Sequence, residues 1–201
     1  GYSHCDDFGV ARSFGFRRKH LGNDLMAENI PQAGKVILCS NHRSVFDPIF
    51  LAVNCKRRIR YMAKSEFFEF HGPFVRRLFY ALGAFPVVRN TGDADSVKTA
   101  AAILRSGGII GIFPQGGCMP GNIPFRPKSG VAFIARKAEA PILPACIFCK
   151  GKIRPFRKVV VRFGSLLPYE ALGLDAGGRK AVKAAAQKIA QHVNFLLEEK
   201  N

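Results

Sequence analysis

The chain is short of acidic residues. Against 31 Lys and Arg it carries 14 Asp and Glu, a formal net charge of +17. Solubility does not need so lopsided a balance, so the excess points to polyanionic company: nucleic acid, an anionic membrane face or phosphorylated substrates. The charge is scattered in short runs, Arg17-Arg18-Lys19, Lys56-Arg57-Arg58 and Arg76-Arg77 among them, and no single tail carries it. No helix-turn-helix, zinc finger or RNA-binding aromatic motif accompanies it, which sets nucleic acid aside. Nor is there an apolar run long enough to span a bilayer, or a recognisable signal peptide. Six cysteines in 201 residues do not make a disulfide scaffold. The lone C-x-x-C, Cys146 and Cys149, has no second pair. In a strand its thiols would point to opposite faces, so neither metal nor a redox pair is expected, and the compartment is read as reducing.

What is present is an alternation of strand and helix signals. KVILCS (35–40), IRYMA (59–63), AFPVVR (84–89), GIIGIF (108–113), PILPACIF (141–148) and KVVVRFGS (158–165) are short apolar runs rich in β-branched residues. Between them fall helical segments: one opening at Asp47-Pro48 with Asp as the cap, two short ones broken by Gly72-Pro73, one from Asp93 to Gly107, and SGVAFIARKA. A long helix over 179–199 carries Val182, Ala186, Ile189, Val193 and Leu196 on one face. The fold class is therefore α/β, a mixed, largely parallel sheet flanked by helices, in one domain over 1–201 with its motif-bearing core at about 25–165.

The stretch SNHRSVFDP, Ser40 to Pro48, joins the first strand to a helix. It places His42 and Asp47 at the two ends of a loop at the carboxyl end of a strand, where open α/β sheets hold ligands. Histidine is the side chain suited to take a proton near neutral pH, and a carboxylate on its other ring nitrogen fixes the tautomer. A hydroxyl-activating dyad and a surface histidine beside a capping aspartate are equally open on these two residues alone.

Ordered blocks along the chain carry a resemblance. NHRSVFDP resembles the N-H-x-S-x-x-D-P signature of the glycerolipid acyltransferases, the 1-acylglycerol-3-phosphate acyltransferase family. YMAKSEFF is similar to its strand and Lys-x-Glu-Leu segment, and LGAFPVVR looks like its second motif. GIIGIFPQGG looks like its third, usually Phe-Pro-Glu-Gly-Thr, and RPKSGVAFIARKAEAPILPACI resembles the helix and Pro-bearing fourth motif. The match runs from about Leu25 to Gly164. The resemblance implies a glycerol-3-phosphate acyltransferase-like fold and O-acyl transfer from acyl-CoA or acyl carrier protein to a lysolipid hydroxyl, in first place 1-acylglycerol-3-phosphate, giving phosphatidate. It implies His42 as general base oriented by Asp47, with no cofactor beyond the acyl donor. It further implies Arg89 against the acceptor's phosphate, and Asn41, Ser44, Gln115, Gly116 and Gly117 lining the substrate site. Asn41 and Ser44 are read chiefly as loop-shaping hydrogen-bonders.

The third motif departs from the pattern. Gln115, Gly116, Gly117 and Cys118 stand where Glu-Gly-Thr and often a basic residue are usual. Gln keeps an acceptor oxygen and loses the charge, a change of about 1.5–3 kcal/mol where the bond was charge-assisted. Three readings stay open: a different acceptor, charge supplied instead by Arg126 or Lys128, or a weak or inactive relative. A thioesterase-like hydrolase at the same pair is the alternative activity. Cys118 raises a rival nucleophile, but Gly-Gly-Cys-Met-Pro is not a nucleophile-elbow pattern. Finally, Phe67, Phe68, Phe70, Phe74, Leu78, Phe79, Leu82 and Phe85, interleaved with Arg76-Arg77, suit either an interfacial helix or a core-facing one. With the charge, they lead to an expected anionic membrane partner and a peripheral, monotopic position at the cytoplasmic face.

Overall fold

Strand β1 (Val36–Ser40) is buried at every position. Such a run suits a strand covered on both faces, and the computed structural model has that arrangement. It describes residues 27–65, 72–81, 83–87, 94–154 and 157–198. After β1 come α1 (Asp47–Ala52), β2 (Ile59–Lys64), α2 (Gly72–Ala81), β3 (Phe85–Val87), α3 (Ala94–Arg105), β4 (Ile109–Ile112), α4 (Gly130–Ala138), β5 (Ile142–Phe148), β6 (Val160–Phe163) and α5 (Gly178–Glu198). Among the described residues the strands form one sheet, in the order β3-β2-β4-β1-β5-β6. All neighbours run parallel except β5 and β6, so the mixed, largely parallel sheet is as expected.

The period of two sorts each strand's residues between two cores. Ile37 and Cys39 join Ile110, Ile142 and Cys146 beneath α3, α4 and α5. Val36 and Leu38 join Ile109, Leu143, Ala145 and Ile147 on the other face, with Phe50 and Leu51 of α1. Cys146 and Cys149 fall in opposite cores, as the spacing predicts. The five apolar positions expected on the long C-terminal helix are all buried. Its last turn is clamped by Arg162 of β6, itself buried, whose Nη1 donates to the Leu196 carbonyl at 2.7 Å.

Chain direction gives this sheet a switch point. The connection leaving β1 leads away past β4 to β2, whereas the one leaving β4 leads across β1 to β5. A crevice opens at the carboxyl ends between two such strands. The loops that start there are 41–46 and 113–129, the two that carry the first and third motifs.

One local expectation is corrected. Asp47 does not cap α1: the N-cap position is Phe46, with no side-chain cap bond. The Asp47 carboxylate turns back into the loop before the helix, while Pro48 occupies the first turn as expected. The membrane reading of the aromatic segment is only partly placed. Phe67, Phe68, Phe70 and Leu82 lie outside the described residues, as do the side chains of Phe74 and Leu78. Phe85 is buried in one core and Phe79 packs against the other, so those two face inward. Arg76 and Arg77 are exposed.

Candidate active site

The first-motif loop is organised by one buried carboxylate oxygen. Asp47 Oδ2 accepts from the backbone N–H groups of Arg43 and of Ser44, the latter at 2.8 Å, and lies 2.8 Å from His42 Nδ1. Asp47 is wholly buried and the His42 side chain is 18% exposed. A carboxylate only accepts, so the contact puts the imidazole proton on Nδ1 and leaves a lone pair on Nε2. Cys118 Sγ lies 3.2 Å from that nitrogen.

Two further contacts fix the ring and its backbone. Phe113, at the end of β4, stacks under His42 with centroids 4.2 Å apart and planes 18° from parallel. Tyr61 of β2 lies nearly parallel behind Phe113, at 6.1 Å, and donates from its hydroxyl to the Pro48 carbonyl at 2.8 Å. Room for the Tyr61 ring comes from Gly111, its register partner on β4: a Cβ there would sit 2.4 Å from the ring. The His42 backbone N–H donates to Gln115 Oε1, and the His42 carbonyl accepts from the Met119 N–H at 2.8 Å. Both motif loops are thus joined at His42.

Arg43 joins them a second time. It is buried, and its guanidinium donates to Asn122 Oδ1 at 2.7 Å, to the Cys149 carbonyl at 2.9 Å and to the Gly151 carbonyl at 2.8 Å. Asn122 in turn donates to the Cys149 carbonyl. Nothing in sequence spacing singled out Arg43 or Asn122; an arginine between the catalytic-type histidine and serine, in a loop with no carboxylate free to pair it, was the available signal.

The Gly116 backbone is left-handed, at φ +79, and the Lys128 side chain lies across it: a Cβ would meet Lys128 Cε at 2.6 Å and Nζ at 2.8 Å. The left-handed backbone favours glycine there, and the absent side chain lets the end of Lys128 lie over it. Of the two basic residues expected nearby, Lys128 therefore reaches the third-motif loop, and Arg126 is exposed. Burial raises the Cys118 thiol above its ordinary range, and the Asp47 charge adds to the effect.

A family model described as Acyltransferase matches residues 25–148, a span that takes in both loops. The chain belongs to the acyltransferase family. The 1-acyl-sn-glycerol-3-phosphate acyltransferase of Bacillus subtilis (strain 168) is 33% identical over 139 residues, covering 63% of this chain and 67% of that protein. The protein of the same description from Borreliella burgdorferi is 30% identical over 129 residues, and the match spans about half of it, 49%. The crystal structure of the 1-acyl-sn-glycerophosphate (LPA) acyltransferase PlsC from Thermotoga maritima superposes with a TM-score of 0.69 at 20% identity. That match covers 97% of this chain and 79% of that one, and establishes the shared α/β fold.

Within this acyltransferase-family chain, the expected site residues separate by geometry. His42, Asp47 and Gln115 come together, with Ser44 beside them, and Gly116 and Gly117 lie in the chain between Gln115 and Cys118, both of which touch His42. Ser44 Oγ accepts from the Phe46 N–H, a bond inside the loop. Asn41 is buried and spent: its amide donates to the Ile147 carbonyl at 3.0 Å and accepts from the Ile147 N–H at 2.7 Å, extending the β1–β5 ladder by one rung. Gln115, expected against the acceptor, has its oxygen on the His42 backbone N–H. Arg89 lies outside the described residues. Among those residues no group of three or more His, Cys, Asp and Glu is placed to hold a metal.

Proposed function

We propose that the protein transfers an acyl group from an acyl thioester, coenzyme A or acyl carrier protein, to the free hydroxyl of 1-acylglycerol-3-phosphate, giving phosphatidate. His42 Nε2 takes the hydroxyl proton as the oxygen attacks the thioester carbonyl, and the proton leaves with the thiolate. Asp47 holds the imidazole in the needed tautomer and balances the charge it gains. The observation that carries this reading is the 2.8 Å contact from a wholly buried Asp47 to Nδ1, which leaves the Nε2 lone pair for the substrate, with the Cys118 thiol 3.2 Å from it. The two curated relatives named for this reaction support the acceptor. Arg89, with Lys128 over Gly116, supplies the cations for its phosphate. In this reading Gln115 and Asn41 position the loops and do not touch the acceptor. The enzyme works as a peripheral protein at the cytoplasmic face of a membrane, where its basic excess meets anionic lipid.

Acyl transfer from labelled acyl-CoA, screened across lysolipid acceptors, tests the proposal. His42→Ala should lower turnover by about 10²–10⁴-fold. Asp47→Asn, which keeps shape and loses the charge, should cost about as much with the fold retained. A His42→Ala protein with full activity would refute the mechanism. Thioester consumed with no lipid product in the parent would turn the reading toward hydrolysis.

A further inference from the structure

We infer that the rim around His42 is the face on which this protein docks to an anionic bilayer, with Val45, Met119 and Ile123 entering the apolar layer and the basic residues of 150–154 and 157–158 meeting the head groups. The inference rests on the reading that the acceptor is a bilayer lipid, and adds which surface meets it.

Val45 is 60% exposed, Met119 46% and Ile123 59%. They come from two loops, yet hydrogen bonds hold those loops at one place. The Met119 N–H sits on the His42 carbonyl, and Asn122, next to Ile123, is bound by Arg43, between His42 and Ser44. The same guanidinium binds the Gly151 carbonyl, so the basic segment is fixed beside them. Lys150, Lys152, Arg154, Arg157 and Lys158 are all exposed there, as are Arg126 and Lys128 on the third-motif loop. Residues 41–46, 114–128 and 148–158 contain no Asp or Glu, and Asp47 is buried.

The opposite end of the sheet is mixed in sign, with exposed Lys56, Arg58, Arg105 and Lys137 standing among exposed carboxylates. Exposed Glu139 precedes β5, and exposed Glu170 follows Leu167, which bridges to Ile142 at the start of β5. Aliphatic side chains at the centre of a cationic rim match a surface that is anionic outside and hydrocarbon inside. Nucleic acid would leave all three in water. The rim is also the mouth of the site, so a docked protein meets the acceptor where its head group lies.

The chain contains no tryptophan, so one introduced indole reports its own depth. Ile123→Trp places it on the rim. Leu166→Trp places it at the far end of the sheet, where Leu166 is exposed beside the Leu167–Ile142 bridge. Each variant is mixed with phosphatidylglycerol vesicles whose acyl chains are brominated. Quenching of the rim indole but not of the far-end indole is the expected result. Lys150→Gln/Lys152→Gln should bind these vesicles at least tenfold more weakly, at about fivefold per charge. Vesicle binding with the rim indole unquenched, or with the far-end indole quenched instead, overturns the docking face while leaving membrane association and acyl transfer standing. An unquenched rim indole with equal affinity for DNA marks a polyanion surface and overturns it too. No binding to anionic vesicles removes both this face and the peripheral membrane reading.

Discussion

At the scale of single residues, the histidine and the aspartate of SNHRSVFDP were legible from their chemistry and order, and the structure adds what the aspartate does. Its Oδ2 gathers two backbone amides as well as the imidazole, so it shapes the loop and orients the ring together. Gln115 was legible as a departure but not in its contact. No pattern of residues reveals that a side-chain oxygen will find a backbone N–H 73 positions earlier. A glutamate oxygen can take the same N–H, so loss of the negative charge does not by itself dismantle this tie. Gln115→Leu, by contrast, leaves the His42 amide unpaired. It should cost about 1–3 kcal/mol, read as a lower midpoint in denaturant unfolding, and a lower turnover. Gln115→Glu should stay folded. Cys118 stands against the nitrogen proposed as the base. Because burial and Asp47 hold its thiol above the usual range, its thiolate is scarce at neutral pH. Alkylation by iodoacetamide should therefore accelerate with pH only above the ordinary thiol value of about 8.5. A midpoint at or below that value would contradict the placement, and the modified protein should be inactive because the adduct fills the space before Nε2.

At the scale of elements, strands and helices were mostly readable because both cores depend on period. Alternate residues of β1 serve opposite faces, and the stripe on α5 is continuous. The ends of elements were less readable. The start of α1 looked capped because Asp-Pro is a capping pattern, but tertiary demand from His42 claimed the carboxylate. Hydrogen bonding between loops was not readable at all. The 41–46, 113–129 and 149–151 loops are separate in sequence and meet through Arg43. Arg43→Met should keep the strands and take the guanidinium bonds away from Asn122 Oδ1 and from the Cys149 and Gly151 carbonyls, of which the Cys149 carbonyl keeps its bond from Asn122. We expect a loss of about 2–4 kcal/mol from the hydrogen bonds of a charged group. We also expect faster amide exchange in 118–123 and a turnover reduced more than that of Arg43→Lys, which retains a charge.

At the scale of the whole molecule, the composition showed an excess of positive charge without showing where it faces. The fold shows one place where it is unopposed, since the loops leaving the carboxyl ends of β1, β4 and β5 are free of exposed carboxylates. The fold also ties the sheet's interior to that rim. The missing side chain at Gly111 admits Tyr61, Tyr61 backs Phe113, and Phe113 carries the His42 ring. A methyl group at position 111 would lie 2.4 Å from the Tyr61 ring, closer than real contacts allow. Overpacking of this kind costs about 1–3 kcal/mol, and its nearest outlet is the aromatic stack. Gly111→Ala should lower both the melting temperature and kcat, with the KM for the acyl donor little changed. In a population of organisms carrying this gene, that single methyl would behave as a partial loss-of-function allele, inherited from the middle of a buried strand.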